Sequence, residues 1–99
     1  MRPSIALAND ANRKALALLS ERHRLTNLRV FGSVARGEDK EGSDLDLLVD
    51  PLPNVTTLFD IVALKSEAES LLGVPVDVRT LEDIHHSIRA RVLGEARPL

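Results

Sequence analysis

Two short groups of residues, separated by ten positions, constrain this chain more than any other feature. The first is Gly32-Ser33, and the second is Asp44-Leu45-Asp46, which leads directly into an apolar run. Because successive side chains of a strand alternate between its faces, we expect Asp44 and Asp46 to point the same way. Two neighbouring carboxylates repel each other, so one tends to stay protonated unless a cation lies between them. The pattern therefore predicts a divalent-metal site at the start of a strand.

Hydrophobic periodicity and turn residues divide the chain into segments of secondary structure. We predict a short helical turn at residues 34–38, strands at residues 28–31, 44–49 and 74–79, and helices at residues 10–23, from 57 to 73 and from 80 onward. The last helix is expected to carry one apolar stripe, formed by Leu81, Ile84, Ile88 and Val92. The order helix, strand, strand, helix, strand, helix indicates an α/β fold in which helices flank a small sheet.

Composition narrows the class of protein. A length of 99 residues predicts a single domain, 1–99, and the absence of cysteine excludes disulfides and thiolate zinc sites. A net charge of −2 and only two aromatic residues disfavour a nucleic-acid partner, because proteins that bind nucleic acids usually carry an excess of basic residues and aromatic side chains that stack on bases. The apolar run at residues 5–8 is too short for a signal sequence or a membrane span, so we expect a cytoplasmic protein without membrane contact.

Two segments carry a resemblance to a known superfamily. Residues 31–38 (FGSVARGE) and 43–50 (SDLDLLVD) together resemble the signature of the DNA-polymerase-β-like nucleotidyltransferases. Within that superfamily the chain most resembles the minimal nucleotidyltransferases (MNT), the antitoxin half of HEPN–MNT toxin–antitoxin pairs. The resemblance covers nearly the whole chain and is most specific in the Gly-Ser and Asp-x-Asp groups. It implies the minimal nucleotidyltransferase fold, an α/β arrangement with a small mixed sheet flanked by helices.

The resemblance also implies a role for each residue of the pattern. Asp44 and Asp46 would share two Mg²⁺ ions with the phosphates of ATP, and Asp77 would be the third catalytic and metal-binding carboxylate, on a neighbouring strand. Gly32 would let the backbone approach a phosphate closely, and the hydroxyl of Ser33 would add a hydrogen bond to it.

Two of these assignments have alternatives. Asp77 lies among apolar residues, where a charge is costly unless it is paired or bound to metal, but it could also face water or pair with Arg79 or Arg36. Arg36 is expected either to bind nucleotide phosphates or to bridge Asp44 or Glu38.

For the activity, the resemblance implies transfer of AMP from ATP to a tyrosine of a HEPN-type ribonuclease toxin, which silences the toxin. That partner is expected to be encoded beside this chain and to form a complex with it. The chain contains no tyrosine, so the acceptor tyrosine belongs to another chain. Two alternatives stay open: an antitoxin that masks its partner by contact alone, and a nucleotidyltransferase that acts on a small molecule such as an aminoglycoside.

Overall fold

The computed structural model describes residues 1–99. Two 3₁₀ turns, Leu81–Asp83 and His86–Ile88, connect the third strand to the last helix. The helices and strands are α1 (Pro3–Leu7), α2 (Asp10–Arg22), β1 (Leu25–Phe31), α3 (Gly32–Ala35), β2 (Leu45–Pro51), α4 (Leu58–Leu72), β3 (Val76–Arg79), α5 (Arg89–Glu95) and β4 (Arg97–Pro98).

The strands form one mixed sheet in the order β3-β2-β1-β4. Strand β2 runs antiparallel to β1 and parallel to β3, and β4 pairs antiparallel with the outer edge of β1. A parallel pair needs a crossover connection, which α4 provides between β2 and β3. The predicted α/β fold, a small mixed sheet flanked by helices, is therefore confirmed.

Helix α4 has a local cause for each of its boundaries. At its start the carboxylate of Asp60 accepts a hydrogen bond from the Thr57 N–H, at 2.8 Å. At its end Gly73 adopts the left-handed conformation, with φ of 70°, which a residue with a side chain rarely adopts. With 15 residues α4 is the longest helix, and no helix here has the length and apolar character to cross a membrane.

The two faces of β2 are covered to different depths. On one face its alternate apolar residues join the main core of 15 buried residues, to which α2 and α4 also contribute. On the other face Leu48 packs against Ile84 and Val92 in a cluster of only three buried residues. Asp46 lies on this thinly covered face and is only partly buried. This half of the sheet is where a ligand can reach the strands.

The predicted single helix from residue 80 onward is wrong. Ile84 adopts an extended conformation, with φ of −96° and ψ of 130°, which ends the first turn after Asp83. In a helix the Ile84 carbonyl would accept a hydrogen bond from the Ile88 N–H, but here it accepts from the Arg89 side chain at 2.8 Å. Ile84 and Val92 are nevertheless buried against the sheet, whereas Ile88 stays 40% exposed.

Two elements were not predicted, and several boundaries differ. Helix α1 is held by Asp39, a buried carboxylate that accepts a hydrogen bond from the Ser4 N–H at 2.9 Å. The short strand β4 pairs with the edge of β1. Strand β1 begins three residues earlier than expected, β3 begins two residues later, and α3 begins at Gly32 instead of residue 34.

Candidate active site

Two of the predicted acids are direct neighbours in the sheet. In the parallel pairing of β2 with β3, Asp46 lies opposite Asp77. On the other side of β2, Asp46 lies opposite Phe31, the last residue of β1. Because residues at the same register position share a face, both carboxylates lie on the thinly covered face of the sheet. The resemblance implied a third carboxylate on a strand next to β2, and Asp77 lies on such a strand, whereas the role of these acids as metal ligands stays a prediction.

Asp44 lies one residue outside the strand. Strand β2 begins at Leu45, whose N–H donates to the carbonyl of Pro75 at 2.8 Å, and Asp44 is exposed in the approach to it. The expectation that the strand starts at residue 44 is therefore off by one residue. The negative charge of Asp44 is nevertheless near enough to Asp46 to affect its ionisation.

The raised pKa of Asp46 indicates that the site lacks positive charge near its carboxylates. Burial raises the pKa of Asp46, and repulsion by Asp77 and Asp44 raises it further, to about 6. Positive charge on Arg79 and Arg36 opposes this rise without cancelling it. A carboxylate destabilised by two other acids is a site where a divalent cation would be favourable, and carboxylate oxygens are the ligands that Mg²⁺ prefers.

In this structure the carboxylates of the three acids do not converge on one point. No group of three His, Cys, Asp or Glu residues converges closely enough to hold a metal ion. Asp77 instead accepts a hydrogen bond from Arg79 Nε at 3.0 Å, the ion pair that the sequence offered as an alternative. Both side chains are partly exposed, so this ion pair is weak and can open. The three side chains are nevertheless all carboxylates, the donor type that hard divalent ions prefer.

Gly32 is required at its position by Asp46. Its φ is +74°, and a Cβ atom added to it would lie 2.2 Å from Asp46 Oδ2. The carboxylate therefore occupies the space where any other residue would place its side chain. The expected close approach of backbone to a phosphate stays a prediction, but the approach of Asp46 to Gly32 is a structural reason of its own for glycine.

Arg36 follows the turn and pairs with two acids. Its Nε donates to Glu38 at 3.2 Å, as one of the sequence alternatives predicted, and its Nη1 donates to Glu95 at 2.9 Å. Arg36 makes no ion pair with Asp44. Glu95 also accepts a hydrogen bond from the Gly32 N–H, at 3.0 Å. No sequence signal pointed to Glu95, because it lies 63 residues from the turn that it contacts.

A cleft of about 280 Å³ opens beside Asp77, the only one of the three predicted acids that lines it. Asp77 and Arg79 lie at its wall together with the apolar side chains of Phe31 and Ile88. A larger cavity of about 450 Å³ lies between α2 and α4, and none of the three acids lines it. The smaller cleft is therefore the one that a second substrate could use to approach Asp77.

The fold and this group of acids define a class of enzyme, and comparison with known proteins identifies it. The chain matches the model of the nucleotidyltransferase domain family over residues 13–99 and belongs to that family. It is therefore a transferase enzyme. The resemblance to the minimal nucleotidyltransferases is also confirmed: a solved structure described as a "putative minimal nucleotidyltransferase" has a TM-score of 0.83 and 46% identity, with 95% of each chain covered.

Curated relatives are similar over most of their length. A protein of Methanocaldococcus jannaschii named "Putative protein adenylyltransferase" is 42% identical over 88 residues, which are 89% of this chain and 92% of the relative. The protein adenylyltransferase MntA of Thermococcus cleftensis is 39% identical over 77 residues, 78% of this chain and 77% of its own. A solved toxin–antitoxin pair, MntA–HepT, has a TM-score of 0.61 at 20% identity over 90% of this chain and 69% of that one, which shows the fold alone.

Proposed function

We propose that this protein transfers AMP from ATP to a tyrosine hydroxyl of a HEPN-type ribonuclease toxin and thereby acts as the toxin's antitoxin. The pairing of Asp46 with Asp77 beside Gly32 is the observation that carries this proposal. It is supported by the family and by relatives named protein adenylyltransferases. Residues 1–99 form a single nucleotidyltransferase domain in this proposal, and the pair acts in the cytoplasm, where ATP is available.

The chain's own residues bind and orient the nucleotide. The turn at Gly32-Ser33 holds the phosphates through backbone N–H groups and the Ser33 hydroxyl, with Arg36 close by to offset their charge. Asp44, Asp46 and Asp77 would hold two Mg²⁺ ions, which would neutralise the charge of the triphosphate and lower the pKa of the acceptor hydroxyl. Positioning and charge neutralisation carry most of the rate increase.

The transfer conserves atoms and charge without a covalent enzyme intermediate. The acceptor oxygen forms a bond to the α-phosphorus of ATP, and the bond from that phosphorus to the bridging oxygen of the β-phosphate breaks. Pyrophosphate leaves, and the acceptor proton passes to the carboxylate of Asp77. Asp77 is suited to this role because it lies at the wall of the cleft beside the metal-binding acids.

The composition of the chain and the lining of the cleft support an acceptor on another chain. The protein contains no tyrosine, and therefore cannot modify itself at that residue. The cleft beside Asp77 combines apolar walls at Phe31 and Ile88 with charged groups at Asp77 and Arg79. A tyrosine side chain presented by a partner matches this lining, since its ring is apolar and its hydroxyl polar.

The test is to incubate the purified protein with ATP, Mg²⁺ and its candidate toxin and to search the toxin for added AMP by mass spectrometry. We expect AMP on a tyrosine of the toxin and loss of its ribonuclease activity. Asp44→Asn combined with Asp46→Asn should abolish the added mass while circular dichroism shows a folded protein. A tyrosine-to-phenylalanine toxin variant is the matched control on the acceptor side.

Two results would replace the proposal by one of its alternatives. Equal silencing of the toxin without ATP, with no added mass, would make the protein an antitoxin that acts by contact. AMP transfer to an aminoglycoside or another small hydroxyl compound, with an unmodified toxin, would make it a small-molecule nucleotidyltransferase.

A further inference from the structure

We infer that Glu95 is a positioning residue for nucleotide binding, because it fixes the Gly32-Ser33 turn and Arg36 in one arrangement. This inference rests on the proposed function, in which that turn holds the phosphates of ATP. Glu95 Oε1 accepts from the Gly32 N–H at 3.0 Å, and Oε2 accepts from Arg36 Nη1 at 2.9 Å. The carboxylate of Glu95 therefore links the first residue of the turn to the guanidinium group of Arg36.

Glu95 is well placed to hold the turn because it is itself fixed on both sides. It is the last residue of α5, which is anchored to the sheet through the buried side chain of Val92. Directly after it, β4 pairs with β1, with Arg97 opposite Val30. The Glu95 side chain is only 16% exposed. Its position is thus set by α5 and β4 and not by the turn itself.

The charge of Glu95 is maintained by the same contacts. Burial opposes its ionisation, but the hydrogen bonds from Arg36 and from the Gly32 N–H outweigh burial and hold the pKa of Glu95 below its usual value. Glu95 is therefore ionised at neutral pH. Hydrogen bonds to a charged acceptor are stronger than those between neutral groups, so the tie restrains the turn effectively.

The arrangement leaves the next groups of the turn for a ligand. The first N–H groups of a helix have no partner within it, and Glu95 accepts only from that of Gly32. The N–H groups of Ser33 and Val34 follow in the same turn, where the proposed function places the phosphates. Without Glu95, binding of ATP would have to order Gly32 and Arg36 as well, which lowers the affinity.

The experiment measures the dissociation constant of Mg·ATP by isothermal titration calorimetry, without any acceptor. We expect Glu95→Ala to raise this constant about tenfold, the effect of a lost hydrogen bond to a charged group. Glu95→Gln keeps the length and an oxygen acceptor for Gly32, but its NH2 group cannot accept from Arg36, so it should restore only part of the affinity. Glu95→Asp keeps the charge but is one methylene shorter, so it should bind as weakly as the alanine variant.

Two controls separate positioning from other effects. Glu38→Gln removes the charge of the other acid that pairs with Arg36, without touching Gly32, and Ala68→Gly destabilises α4 in the main core without touching α5 or the turn. We expect both to bind Mg·ATP like the wild type. Urea unfolding of every variant confirms that the protein is folded under the assay conditions. If Glu95→Ala does not fold, the comparison of Glu95→Asp with Glu95→Gln decides the question.

Three outcomes would overturn the inference. An unchanged or lower dissociation constant for Glu95→Ala and Glu95→Asp would show that Glu95 does not assist binding. An equal loss in Ala68→Gly would show that the loss follows the stability of the fold and not the position of Glu95. In both cases binding of Mg·ATP by the wild type leaves the proposed transferase function standing, whereas failure of the wild type to bind Mg·ATP would overturn both.

Discussion

Replacing Asp46 with asparagine should make the metal-free protein more stable at pH 8, although it removes a residue central to the proposed site. The folded-state pKa of Asp46, about 6, lies above its reference value of 3.8. The folded protein therefore binds more protons than the unfolded chain between these values, and stability falls as the pH rises through this range. Above pH 6 the wild type carries the full cost of a buried, repelled carboxylate, and asparagine does not.

The size of the effect follows from the pKa of Asp46. A rise from 3.8 to about 6 corresponds to roughly 3 kcal/mol as an upper limit. Because Asp46 is only partly buried, water screens part of this energy, and we expect about 1–2 kcal/mol. At pH 4 both variants should have nearly the same stability, since the wild-type carboxyl is then protonated in the folded state.

Urea unfolding at pH 4, 6 and 8, in EDTA and in excess Mg²⁺, measures this difference. In Mg²⁺ at pH 8 the wild type should gain stability, because a ligand that binds only the folded state stabilises it. Asp46→Asn should gain much less. The matched control is Asp50→Asn, on the same face of β2, where Asp50 accepts from Arg29 Nη2 at 2.6 Å. That variant should lose stability at pH 8, because the Arg29 side chain is only 11% exposed and loses its partner.

Three results would refute the reasoning. Lower stability of Asp46→Asn than of the wild type at pH 8 in EDTA would mean that the carboxylate is a structural acceptor. A difference between the two that does not change from pH 4 to pH 8 would mean that Asp46 is not responsible for the effect. Equal stabilisation of both variants by Mg²⁺ would place the ion elsewhere.

The remaining predictions concern the other residues of the site. Asp77→Asn should reduce the rate of AMP transfer far more than it weakens binding of Mg·ATP, as stopped-assay kinetics and calorimetry would show; equal losses would place Asp77 in the nucleotide site instead. Gly32→Ala and Gly37→Ala both place a side chain at positive φ, which costs about 1–2 kcal/mol, but only the Cβ at position 32 meets Asp46. Urea unfolding should therefore show a larger loss for Gly32→Ala, and equal losses would contradict the contact with Asp46.

The sequence was sufficient to predict those parts of the site that depend on local patterns. The boundaries of α4 follow from Thr57 and Gly73, and β2 follows from the apolar residues after Asp44. The neighbouring positions of Asp46 and Asp77 were expected from the resemblance to a known family, and the register of β2 and β3 places them side by side. Their roles as metal ligands stay a prediction.

Features that depend on distant contacts could not be predicted. The helical spacing of Ile84, Ile88 and Val92 suggested one helix. The Ile84 carbonyl, which would accept from a backbone N–H in such a helix, instead accepts from the Arg89 side chain. No local pattern marked Glu95, because its role depends on its contact with Gly32, which lies 63 residues away in sequence. In both cases a backbone group forms its hydrogen bond with a side chain and not with another backbone group. Sequence periodicity does not reveal such bonds.

The unequal covering of the two sheet faces has a consequence for local unfolding. The segment from the first 3₁₀ turn to α5 is anchored to the sheet by a cluster of three buried residues, whereas α2 and α4 share a core of 15. Amide protons of this segment should therefore exchange with solvent through local openings that leave the sheet intact. Each opening would carry Glu95 away from Gly32, so the nucleotide site and the global fold have separate stabilities. A ligand that closes this segment would slow exchange there first, and core mutations far from it would leave that rate unchanged.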